Sequence, residues 1–69
     1  MQYIHKLKEY RLQSKYSQKE IAEILQITQQ QYSLYEKQQR DMPIYFYAKL
    51  AKLYSTTIDD LIELTDKEQ

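Results

Sequence analysis

An all-α fold of five short helices, packed as one compact domain, follows from three observations. Hydroxyl caps recur: Ser17 stands three residues before Glu20, Thr28 three before Gln31, and Thr57 three before Asp60. At that spacing a side-chain oxygen accepts from an amide in the first turn of a new helix, and the third residue reaches back. After each cap, apolar residues recur three and four positions apart, the period of a helix with one buried face. Glycine is absent and proline occurs once in 69 residues, which excludes a β-rich fold with glycine turns and any glycine-rich phosphate loop.

The elements follow in order. Residues 1–2 and 65–69 are expected to fray. Tyr3 to about Gln13 reads as the first helix, with Tyr3, Ile4, Leu7 and Tyr10 on one face and Arg11 beside them. A guanidinium on the apolar side needs a partner. His5 lies one position off that stripe with no His or Cys nearby, and is expected at the surface rather than as a ligand or a catalytic group. Tyr16 turns inward ahead of the Ser17 cap as a staple residue. The second helix is Gln18–Leu25, with Ile21, Ala22, Ile24 and Leu25 on its buried side. Gln26-Ile27 forms the turn, and Ile27 plugs the gap between the helices. The third helix is Gln29–Glu36. Tyr32 and Tyr35 face inward, with Glu36 beside Tyr32, so Glu36 is expected to form a structural ion pair with Arg11. Its outer face carries Gln30, Ser33, Leu34 and Lys37, with Gln29 at the tip.

A polar loop, residues 37–42, leads to Pro43 at the first position of the fourth helix, where its fixed φ suits a helix start. That helix runs to about Tyr54 and buries Tyr47, Leu50, Ala51 and Tyr54. Tyr45 and Phe46 admit two readings, core packing or an exposed patch for a partner. A fifth helix, Ile58 to about Leu64, buries Ile58, Leu61 and Ile62, with Leu64 at its edge available for a dimer contact. Tyrosine occurs eight times and takes core positions where Leu is usual, so its hydroxyls need partners or water.

The chain reads as a single domain with no repeat or linker. Such a small core gives a thin stability margin, and dimerisation is therefore expected. With no cysteine, neither disulfides nor a thiolate metal site support it. The longest apolar run, residues 44–48, is too short for a signal peptide or a membrane span, so a soluble, cytoplasmic location without membrane contact is expected. Net charge is zero but unevenly spread. Residues 1–40 hold seven Lys or Arg against four Asp or Glu, and residues 41–69 hold three against six. The asymmetry allows a positive face and an acidic back; it is also compatible with ordinary mixed surface charge.

The segment Ser17–Glu36 resembles the helix-turn-helix of the phage repressor and Cro family, also called the xenobiotic-response-element family. Gln18, Ala22, Ile27 and Glu36 carry the match, and Thr28-Gln29-Gln30 is similar to the start of a lambdoid repressor's recognition helix. The family usually has Gly, sometimes Asn, where this chain has Gln26, and a non-glycine residue there costs about 1 kcal/mol. The resemblance extends over about Leu7–Leu64. It implies a compact five-helix, lambda-repressor-like DNA-binding domain with a helix-turn-helix unit at residues 18–37, an Arg11–Glu36 pair, a phosphate contact at Gln18 that also braces a base-reading Gln, and a backbone-contacting loop of Lys37, Gln38, Gln39 and Arg40.

The side chains fit that implication. A major groove admits an α-helix, and Gln can donate to and accept from one adenine edge at once. Gln29 and Gln30 are the candidate base readers, followed by Ser33 and by Leu34, which suits a thymine methyl. Simple solvation also explains exposed Gln. Sparse charge implies few phosphate contacts and weak monomer binding, so the expected partner is a palindromic duplex with adenines in each half-site, read by a symmetric homodimer. A repressor is the expected regulator. The competing reading is a protein-interaction module, an antitoxin or regulator-binding protein, that uses Tyr45 and Phe46. Enzymatic readings fail on inventory: no triad, no metal-ligand spacing and no cofactor motif is present. Asp59, Asp60 and Glu63 are explained by a helix start. No cofactor is expected.

Overall fold

The computed structural model describes residues 2–65. In chain order it contains β1 (Gln2–His5), α1 (Leu7–Gln13), α2 (Gln18–Leu25), α3 (Gln29–Glu36), α4 (Ile44–Leu53), α5 (Ile58–Leu61) and β2 (Ile62–Thr65). The all-α architecture of five helices stands, with one small addition. β1 and β2 pair antiparallel in the register Gln2↔Thr65, Tyr3↔Leu64, Ile4↔Glu63 and His5↔Ile62.

That ribbon corrects both ends of the reading from sequence. The first helix begins at Leu7, not Tyr3, and the fifth ends at Leu61, where Ile62 turns to φ −120°, ψ 130°. Tyr3 and His5 are part-buried while Ile4 is 49% exposed, the period-two alternation of a strand. Pairing with the far end of the chain supplies the hydrogen bonds that a first helical turn would otherwise have made. The Lys6 amide continues the ladder to the Leu61 carbonyl at 2.8 Å. Gln2 and Thr65, expected to fray, form its outermost pair. Met1, residues 66–69 and the side chain of Leu64 lie outside the described residues, and with them the dimer contact expected of Leu64.

The core joins all five helices. Leu7, Ile21, Tyr32, Leu50 and Leu61 are fully buried, and Ala22 is 2% exposed. Ile24, Ile27, Tyr54, Ile58 and Ile62 pack against this cluster at its margins. Ser17 builds a complete capping box: its hydroxyl accepts from the Glu20 amide at 3.0 Å and its own amide donates to Glu20 Oε1 at 2.8 Å. Thr28 completes half of one. Its hydroxyl accepts from the Gln31 amide at 3.1 Å, but the Gln31 amide group donates to the Tyr35 hydroxyl at 3.0 Å, a partner one turn further along. Thr57 caps α5 through the Asp60 amide at 3.1 Å. Pro43 occupies the N-cap with ψ 147°, one residue earlier than expected.

Four helices end in the same way. Lys15, Gln26, Gln38 and Ser55 adopt φ between 56° and 63°. After each, the next amide returns to a carbonyl five residues earlier: Tyr16 to Arg11, Ile27 to Ala22, Gln39 to Leu34 and Thr56 to Ala51, at 2.8–3.1 Å. This is the Schellman closure, which normally places glycine at the left-handed residue. A chain with no glycine makes it four times with side chains that carry a Cβ.

Arg11 and Glu36 meet as expected, with side chains 9% and 4% exposed. Arg11 Nε donates to Glu36 Oε2 at 2.7 Å and Nη2 to Oε1 at 3.2 Å, while Nη1 donates to the Tyr16 carbonyl at 3.0 Å. The Tyr32 hydroxyl donates to Oε2 at 2.8 Å and Gln18 Nε2 to Oε1 at 3.0 Å. Burial alone would raise the Glu36 pKa. The hydrogen bonds from Arg11, Gln18 and Tyr32 outweigh it and hold the carboxyl below its ordinary value. Burial, then the bond to Glu36, pushes the Tyr32 phenol far above its ordinary value.

The helix ends and the ion pair make three testable predictions. Gln26→Gly should stabilise the domain by about 0.5–1 kcal/mol in urea unfolding, because it relieves a left-handed side chain; an unchanged or lower midpoint would contradict this. Arg11→Met should destabilise by about 3 kcal/mol, because it leaves a buried carboxylate without a counter-charge. The Glu36 contribution is fully present above the ordinary carboxyl pKa of 4.5 and is lost as pH falls through the lower folded value. Urea unfolding between pH 6 and pH 2, at steps of about one unit, should show that slope in the native chain and a shallower one in Glu36→Gln.

Candidate nucleic-acid interface

α2 and α3 pack directly on each other, joined by the left-handed Gln26 and the part-buried Ile27. Tyr32 and Tyr35 anchor α3 from behind, 0% and 5% exposed. The opposite face of α3 is thereby fixed outward. A shallow concavity of about 480 Å³ opens on that side, lined by Gln18, Gln29, Gln30, Ser33, Leu34 and Lys37. All four candidate base readers therefore share one surface with two of the candidate phosphate contacts. Gln29 and Gln30 are exposed, and Ser33 and Leu34 are half-buried. Lys37 carries the only formal charge among these lining residues.

The remaining candidates are placed less uniformly. Gln18 reaches the concavity, but its amide nitrogen is held by Glu36, so the ion pair fixes the orientation of the amide. Gln38 takes a left-handed backbone and its Nε2 donates to the Tyr3 carbonyl at 3.2 Å. Its side chain is engaged with β1. Gln39 and Arg40 are exposed in the loop after α3 and do not line the concavity. Arg11 and Glu36 act behind the surface, not on it.

His5 was expected at the surface. It is part-buried, and Nε2 donates to the Tyr35 carbonyl at 2.8 Å, a second bond to an acceptor in the last turn of α3 that already takes the Gln38 amide at 3.0 Å. Its Nδ1 is buried without a partner among the described residues. The only hint in sequence was the odd spacing of His5 from the presumed helical stripe, which becomes an inward position once the segment is a strand. Tyr45 and Phe46 separate. Phe46 is half-buried against Tyr35, ring centroids 6.2 Å apart. Tyr45 is 66% exposed, with Lys49 Nζ 5.9 Å from its ring centre. Core packing therefore describes Phe46, and exposure describes Tyr45.

Among the described residues no group of His, Cys, Asp or Glu could hold a metal ion, and no helix is long and apolar enough to cross a membrane. No curated protein matches the chain. A family model described as Helix-turn-helix matches residues 7–61, from the first residue of α1 to the last of α5. With most of its length inside that match and an outward helix buttressed by a second, the chain belongs to the Cro/C1-type helix-turn-helix family, and is a DNA-binding regulator of that kind.

Proposed function

We propose that the protein is a transcriptional repressor that inserts α3 into the major groove of duplex DNA and reads adenine with Gln29 and Gln30. The observation that carries this reading is the shared outward surface of Gln18, Gln29, Gln30, Ser33, Leu34 and Lys37. An amide side chain presents one donor and one acceptor in the fork that an adenine edge requires. Ser33 and Leu34 lie deeper along the same face, where Leu34 meets a thymine methyl. Lys37, Gln39 and Arg40 supply backbone contacts beside α3, and Gln38 contributes from its position next to β1. Gln18 contacts phosphate and braces the reading amide while Glu36 holds it.

A chain of zero net charge gains little from counterion release. Two copies acting as a symmetric homodimer compensate, because they place recognition helices about one helical turn apart on a palindrome. The protein acts where its DNA is, in the cytoplasm. A second reading, a protein-interaction module, is favoured by one observation: Ile44 and Tyr45 are exposed, 64% and 66%, at the start of α4.

Selection from a random duplex pool should enrich a palindrome with adenines in each half-site. Gln30→Ala should relax one position of it at a loss of about 1–3 kcal/mol. No enrichment at low salt would remove the repressor reading. The interaction-module reading makes the opposite demand: in affinity capture from cells, Tyr45→Ala should lose a partner that Gln30→Ala retains. Equal capture by both variants would remove it.

A further inference from the structure

A second groove, distinct from the concavity on the outer face of α3, lies between the β1–β2 ribbon and the start of α4. It measures about 350 Å³ and is lined by Tyr3, Asp41, Met42, Ile44, Tyr47 and Ile62. That volume lies at the lower end of the range for small-molecule sites. Its lining combines one carboxylate, two phenols and three apolar side chains.

Two polar groups in it are incompletely used. Tyr47 is 3% exposed, and its hydroxyl is buried with no hydrogen-bond partner among the described residues. Burial first, then the neighbouring Tyr3 and Asp41, raises its pKa; the Tyr3 hydroxyl stands close by, but no bond of good geometry forms to it. A buried, unmade hydroxyl bond costs about 1–3 kcal/mol, so this position favours a ligand that supplies the partner. Asp41 accepts one bond, from the Tyr3 hydroxyl at 2.9 Å, and forms no salt bridge among the described residues.

We infer that this groove binds a small hydrophobic organic cation, an ammonium group carried on a single ring or a short branched chain. The ammonium has three donors and no acceptor. Asp41 and the Tyr47 oxygen both accept. Met42, Ile44 and Ile62 cover the apolar body. An anion meets the Asp41 carboxylate and is repelled. A neutral apolar molecule leaves the Tyr47 hydroxyl unpaired. The site also touches the DNA-reading side of the molecule at one remove, because Tyr3 accepts from Gln38 in the loop after α3. Ligands of this size bind weakly, with Kd on the order of 0.1–1 mM.

The test is titration of the isotope-labelled chain with phenethylammonium, 2-phenylethanol and 3-phenylpropionate, followed by amide chemical shifts. Binding to the groove predicts saturable shifts at Tyr3, Asp41, Tyr47 and Ile62 for the ammonium, and roughly tenfold weaker binding of the alcohol, the equivalent of one lost charged contact. Asp41→Asn should weaken the ammonium by a similar factor, and Tyr47→Phe by about threefold. If Asp41→Asn does not fold, its own spectrum shows it, and Tyr47→Phe then decides. No saturation with the ammonium, equal affinity for the alcohol, or wild-type affinity in the folded variants would overturn the inference. So would shifts confined to the α4 face of Tyr45 and Lys49.

Discussion

Glu36 is the contact on which the rest of the structure depends. Its two oxygens take four hydrogen bonds, from Arg11 twice, Gln18 once and Tyr32 once. Those donors come from α1, α2 and α3, so one carboxylate fixes the orientation of α1 against the two helices that line the outward concavity. An apolar residue at this position could fill the space but could not hold three helices in a single register. A buried ion pair gives uncertain net stability; here its geometric effect is plain, because the same oxygen that accepts from Arg11 Nη2 also holds Gln18, a side chain of the outward surface. The interior network and the surface amide are one connected assembly.

Tyrosine extends the same theme. In a core this small, six of the eight phenols bring apolar area and, with it, hydroxyls that must be answered. Tyr32 uses Glu36, Tyr10 meets Thr56 and Tyr35 accepts from Gln31. Tyr47 and Tyr54 are left without partners among the described residues. The core is therefore large in contact area yet polar at selected points.

Most of the helix pair and of the outward face of α3 is legible in the sequence, because it rests on local rules. Ser17 and Thr28 mark helix starts through hydroxyls that reach only three residues. Ile21, Ala22, Leu25, Tyr32 and Tyr35 fall on buried faces by helical period alone. The Arg11–Glu36 pair was found from two charges on apolar sides, each a local anomaly with a common remedy. What escaped was non-local. Tyr3-Ile4-His5 carries apolar residues compatible with either period, and only pairing with Ile62–Thr65 decides for the strand. The roles of His5 at the Tyr35 carbonyl and of Gln38 at the Tyr3 carbonyl depend on that ribbon, so they were hidden with it. The partial exposure of Phe46 is likewise set by Tyr35, a neighbour from another helix.

The ribbon has a kinetic consequence. Its pairs join residues separated by nearly the whole chain, whereas the capping boxes, the helix ends and the contact of α2 with α3 join residues close in sequence. A long loop must close before such a ladder returns any favourable contact, and each paired strand is only four residues long. The helical centre can therefore assemble first, with the ribbon zipping last, and in the native state the ribbon is the first part to open. Because β1 accepts the Gln38 side chain and places His5 on the last turn of α3, the ribbon holds the C-terminal end of α3. The small sheet acts as a slow latch on the faster, locally encoded helices.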